Sequence, residues 1–113
     1  MVARNNLLVA PPYAVEQALK KLGRNLRVAR LRRQKTIEEI AERIGTGPRA
    51  VRDAEKGKAS TLVAVYAALL WAYDLLGPFD QLADPITDKE GLALAAAKGN
   101  KRARKSGDLD NEF

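Results

Sequence analysis

The sequence predicts an all-α fold, and three observations carry that prediction. Residues 36–57, TIEEIAERIGTGPRAVRDAEKG, place Ile37, Ile40, Ala41 and Ile44 at i, i+3, i+4 and i+7, the spacing of one helical face. Upstream, Val15, Leu19, Leu22, Leu26 and Ala29 mark a similar stripe within residues 12–33. Downstream, residues 61–75 are apolar nearly all round, through Leu62, Val63, Val65, Tyr66, Leu69, Leu70, Trp71, Tyr73 and Leu75. A helix of that composition must be covered on several sides.

Taken in order, residues 1–11 have no strong period, and Leu7, Leu8 and Val9 suit either a short strand or packing on the core. Residues 12–33 read as one long helix or two segments. Gly23 lies inside it and weakens it by about 1 kcal/mol relative to Ala. Arg24, Arg27, Arg30, Arg32 and Arg33 cover much of its remaining surface. Thr36 with Glu39 three residues on is a capping box, so the next helix starts there. Gly45 can adopt the left-handed conformation that ends it. Gly47 is then the N-cap of a second short helix, and Pro48 takes its first position, where a missing N–H costs little. Val51 and Ala54 point inward, Arg49, Arg52, Asp53 and Lys56 outward, and Gly57 stops the helix. Two short helices joined by a tight turn, with basic residues on the second, form a helix-turn-helix. In that layout the first helix crosses a phosphate backbone and the second enters the major groove. Ser60 is the expected N-cap of the apolar helix at 61–75. Gly77-Pro78 restarts a short helix at 79–83, Asp84-Pro85 breaks it, and a last short helix runs from Lys89 to Lys98. Residues 99–113 read as disordered, a basic cluster followed by an acidic end.

Composition narrows the function. The 113 residues hold one small domain, and they contain neither cysteine nor histidine. Disulfides and thiolate metal sites are thereby excluded, and the usual general base and commonest metal ligand are missing. No nucleophile–base pair or phosphate-binding glycine loop is present, so the sequence predicts no enzyme and no cofactor. The apolar run from Leu62 to Tyr73 is too short to span a bilayer, and no signal peptide is visible, which predicts a cytoplasmic protein without membrane association. Charge is uneven. Residues 1–60 carry 14 Lys/Arg against 6 Asp/Glu, residues 61–97 carry 1 against 5, and the whole chain is +6. The positive charge therefore coincides with the helix-turn-helix, as a polyanionic partner requires.

The strings LGRNLRVARLRRQKT, TIEEIAERIG and AVRDAEKGK with the following apolar helix, about residues 22–76, resemble the Cro/lambda-repressor (XRE) class of regulators. The resemblance implies a five-helix lambda-repressor-like domain with the motif as helices two and three. The chain thus divides into an N-terminal arm at 1–11, a helix-turn-helix DNA-binding and dimerisation domain at 12–84 and a largely flexible C-terminal extension at 85–113, with flexible terminal segments expected. The string ASTLVAVYAALLWAYDLLGPFDQLADP, with EGLALAAA and KRARK, within residues 59–105, is similar to HipB-like antitoxins, which are encoded with HipA-like kinases. That second resemblance implies a homodimeric repressor that binds a double-stranded operator, autoregulates its operon and captures a HipA-like kinase toxin. A stand-alone XRE-type regulator, or a protein-interaction module on the same fold, is the alternative.

Residue roles follow from position in the motif. In the class, the first, second and sixth residues of the recognition helix reach base edges, and here these are Pro48, Arg49 and Asp53. Of these, Arg49 alone suits a bidentate contact to guanine O6 and N7. Asp53 suits cytosine N4, or instead holds Arg49 through an i, i+4 pair. Pro48 offers only apolar contact, and Ala50 is small enough to touch a thymine methyl. Lys35, Thr36, Arg52, Lys56 and Lys58 are the expected phosphate contacts. Ile37 stands where the class usually has Gln, Lys35 where it has Leu, and Gly47 where it has Ser. Tyr66, Leu70, Trp71 and Tyr73 are the expected dimer contacts, since aromatic side chains anchor interfaces. Arg30 and Glu55 occupy positions that pair in this class, which predicts a partly buried ion pair.

Overall fold

The computed structural model describes residues 6–105, with side chains through residue 99. All regular structure among them is helical. The α-helices are α1 (Asn6–Val9), α2 (Tyr13–Arg32), α3 (Ile37–Ile44), α4 (Pro48–Glu55), α5 (Val63–Ala72) and α6 (Lys89–Lys105), with a 3-10 turn at Gly77–Gln81 between the last two. The described residues fall into two compact units, one ending at Phe79 and one starting at Asp80.

The first unit is built around α4. Val51 and Ala54 are fully buried on its inner face, against Leu26 and Ala29 of α2, Ile40 and Ala41 of α3, Tyr66 and Leu69 of α5, and Tyr73 beyond it. A buried Leu such as Leu69 contributes about 1.5–3 kcal/mol relative to exposure. Of the expected α2 stripe, Leu26 and Ala29 are buried and Leu19 and Leu22 pack against the same core. Val15, expected in it, is exposed, because α4 packs on the later turns of α2.

Caps set the motif. Thr36 Oγ1 accepts from the Glu39 N–H at 3.0 Å, and Glu39 Oε1 accepts from the Thr36 N–H at 2.8 Å. The Thr36 N–H, and after it the Thr36 hydroxyl, hold the Glu39 carboxyl below its usual range. Gly45 ends α3 at φ 82°, in the left-handed region as expected. Gly23, which weakens α2 in isolation, has a packing role. A Cβ there would meet the carbonyl oxygens of Glu55 and Ala54 at 2.6 and 2.7 Å, so only glycine lets α4 approach α2 this closely.

Four sequence expectations are corrected. Residues 7–9 form part of a short helix, and Leu8, Val9 and Pro11 line a cleft of about 240 Å³ with α2 and the loop after α4. Ser60 does not cap α5. The chain turns first, with the Thr61 N–H bonded to the Lys58 carbonyl at 3.2 Å, and α5 starts at Val63 after Leu62. The short helix expected at 79–83 is the 3-10 turn at Gly77–Gln81. The last helix continues past Lys98 to Lys105, because alanine, lysine and arginine are strong helix formers on either side of Gly99 and Asn100. The rest of the expectation of flexible ends concerns residues 1–5 and 106–113, which lie outside the described residues.

Tyr73 yields a test. Its ring is 2 % exposed, and its hydroxyl has no hydrogen-bond partner among the described residues. Burial, reinforced by the Glu55 carboxylate, pushes its pKa up to about 12 from 10.0. The fold favours the protonated phenol, so its contribution is intact below pH 10 and is lost as pH rises through about 12. Melting temperatures at pH 8 and 11 are expected to differ less for Tyr73→Phe than for the wild type. Equal alkaline losses would show that this hydroxyl does not titrate against the fold.

Candidate nucleic-acid interface

Arg49, Arg52 and Asp53 of α4 and Lys56, its C-cap, recur at i, i+3, i+4 and i+7, which puts them on one side of the helix and its end. Arg49, Arg52 and Lys56 are exposed and Asp53 is half-buried, while Val51 and Ala54 are fully buried. The same eight-residue helix thus inserts one face in the core and presents the other. Pro48 is exposed at its first turn, and Ala50 is half-buried at its flank.

The pose of α4 is locked from behind. Arg30 lies across its C-terminal end, with Nε 2.7 Å from Glu55 Oε2 and Nη2 3.0 Å from Glu55 Oε1, in the bidentate fork that suits a guanidinium and a carboxylate. The two side chains are only 9 % and 7 % exposed. Nη1 of the same Arg30 donates to the Lys35 carbonyl at 3.0 Å. One arginine therefore ties the end of α4 to the residue before the capping box. The hydrogen bond to Glu55 outweighs the cost of burial and raises the Arg30 pKa, so the guanidinium stays charged.

Around this face, Lys35 and Thr36 are exposed at the entry to α3, and Lys56 and Lys58 at the exit from α4. Between them Arg49 has neither an ion pair nor a side-chain hydrogen bond among the described residues, while two neighbouring cations are engaged. Arg52 Nη2 lies 3.4 Å from Glu38 Oε2 of α3, and Lys58 Nζ lies 3.6 Å from Asp53 Oδ1. Asp53 thus pairs with Lys58 rather than holding Arg49. Sequence reasoning missed the Glu38 contact. The acidic first turn of α3 was its visible signal, but the partner lies 14 positions away.

The expected dimer contacts separate. Tyr66 and Tyr73 face inward, 4 % and 2 % exposed, because α5 uses them to cover α4 and α2. The Tyr66 hydroxyl donates to the Lys58 carbonyl at 2.9 Å, and Arg33 Nη2 donates to the Tyr73 carbonyl at 3.0 Å. Both tyrosines therefore belong to the core of one chain. Leu70 is half-buried against the core. Trp71 is exposed, with the Arg43 guanidinium 5.3 Å from its ring centroid. No helix among the described residues is long and apolar enough to cross a membrane.

No curated protein and no solved structure matches the chain. Residues 21–81, more than half of it, match a family described as a helix-turn-helix domain. That span contains the capping box, both helices of the motif and the Arg30–Glu55 lock. With α3, its left-handed glycine turn and α4 in place, the chain belongs to the helix-turn-helix domain family, the DNA-binding unit of transcription regulators.

Proposed function

We propose that this protein is a sequence-specific transcriptional repressor that lays α4 in the major groove of duplex DNA. The observation that carries this reading is the outward stripe of Arg49, Arg52, Asp53 and Lys56 on a helix whose opposite face is fully buried. Arg49, Pro48, Ala50 and Asp53 read base edges, and Lys35, Thr36, Arg52, Lys56 and Lys58 hold phosphates on either side. The protein acts as a homodimer through the exposed side of α5. Ala64 and Trp71 are exposed there and Ala68 is half-buried between them, at i, i+7 and i+4, with Val63 exposed beside them. Two recognition helices about 34 Å apart then call for a near-palindromic operator.

The resemblance of residues 59–105 to HipB-like antitoxins extends the reading to autoregulation and to a HipA-like kinase as partner. Exposed Leu82, Ile86, Leu92 and Leu94 in the second unit support a protein partner of some kind. A stand-alone XRE-type regulator would keep the DNA face alone.

Duplex binding at 50 and 200 mM salt tests the reading. Six to ten phosphate contacts shared between two protomers predict an affinity loss of roughly 10³- to 10⁵-fold over that range. Binding absent at both salt concentrations would leave the interaction-module alternative.

A further inference from the structure

We propose that Asp53 makes phosphate holding by Lys58 conditional on base reading. The proposal rests on the DNA reading above and assigns the half-buried carboxylate a role in specificity beyond its base contact.

The geometry is local and constrained. The Lys58 N–H donates to the Asp53 backbone carbonyl at 3.1 Å, and the Lys58 carbonyl accepts from the Tyr66 hydroxyl at 2.9 Å. Gly57, at φ 70°, makes the turn between them. The backbone of Lys58 is therefore fixed at both ends, and its ammonium has two options, the Asp53 carboxylate or a partner outside the protein. In the free protein it takes the carboxylate, at 3.6 Å, with the side chains 47 % and 24 % exposed. A pair this long and this wet is weak, so release requires little. Where an amino group such as cytosine N4 engages the Asp53 carboxylate, Lys58 is free for a phosphate. Where no donor faces Asp53, the carboxylate competes with the phosphate for Lys58 and also lies uncompensated near DNA. A mismatched duplex thus loses a base contact and, with it, part of a phosphate contact.

Glu38 supplies an internal comparison. Its carboxylate engages Arg52 at 3.4 Å in the same way, but it lies on α3 rather than on the helix that carries the proposed base-reading residues. Releasing Arg52 therefore depends on phosphate alone and is indifferent to sequence.

The test uses the full chain and two duplexes, one of random sequence and one recovered from a random library by selection with the wild type. Asp53→Asn is expected to raise affinity for the random duplex about threefold or more and to steepen its salt dependence by roughly one unit per bound protomer. Affinity for the selected duplex is expected to stay level or fall, so the ratio between the two shrinks. In a Lys58→Gln background, Asp53→Asn is expected to leave the random-duplex salt slope unchanged. Glu38→Gln is expected to raise both affinities alike. Asn preserves the shape of Asp and leaves the backbone bond to Lys58 intact, and an unchanged melting temperature confirms the fold. If Asp53→Asn steepens the slope equally with and without Lys58, or fails to raise random-duplex affinity, the coupling is refuted. If the wild type binds neither duplex in a salt-dependent way, the DNA reading itself falls, and the coupling with it.

Discussion

Replacing Glu55 by Gln is expected to destabilise the first unit by about 3–5 kcal/mol, because it strands the Arg30 charge at a site with little water. The carboxylate accepts two charge-assisted hydrogen bonds, at 2.7 and 3.0 Å, and the amide that replaces it turns a donor toward the guanidinium. Arg30 cannot shed its proton to escape the cost. In a domain of this size each kcal/mol lowers the melting temperature by about 4–8 °C, so a fall of at least 12 °C is expected. The same substitution loosens α4, whose C-terminal end Arg30 holds, and DNA affinity is expected to fall with stability. A melting temperature equal to that of the wild type would show that the pair neither carries the fold nor sets the helix.

The parts of the fold legible in the sequence are those decided within a few residues. Thr36 with Glu39, the left-handed Gly45, and Gly47 before Pro48 each act over one turn, and the structure places all of them as read. Arg30 and Glu55 are 25 positions apart and were found only through the resemblance to a class in which those positions pair. What the sequence hid depends on approach between elements. Gly23 looks like a weakness in α2 until the carbonyls of α4 lie against it. The apolar helix α5 carries no polar face to orient it, so nothing in its pattern shows that Tyr66 and Tyr73 enter the core while Trp71 stays outside. Ser60 is a good cap by residue type, yet the chain must first reverse after α4, and the turn at Lys58–Thr61 displaces the helix start to Val63.

The candidate interface divides in the same way. That Arg49, Arg52 and Lys56 face out follows from the burial of Val51 and Ala54 on a short helix, and periodicity alone predicts it. The pairing of Arg52 with Glu38 and of Lys58 with Asp53 depends on the angle between α3 and α4 and on the turn after α4. Those pairs decide how much of the positive charge is free before DNA arrives, and a count of lysines and arginines does not contain them.

Under the proposed function, Arg49 separates base reading from phosphate holding. It sits at the second position of α4, exposed, while Arg52 and Lys58 beside it are engaged by carboxylates. A guanidinium in the major groove can meet guanine O6 and N7 together, a pattern that other base pairs lack, and phosphates are the same at every site. Arg49→Ala is expected to cost about 1–3 kcal/mol per half-site on the selected duplex, and both half-sites of a dimer bear it. The direct measurement is the affinity of Arg49→Ala and Lys58→Ala for the selected and the random duplex at two salt concentrations. Reading by α4 predicts that Arg49→Ala lowers affinity for the selected duplex and barely changes the random one, while Lys58→Ala weakens binding to the selected duplex and flattens its salt dependence. Equal losses on both duplexes for Arg49→Ala would contradict it and would make Arg49 a phosphate contact.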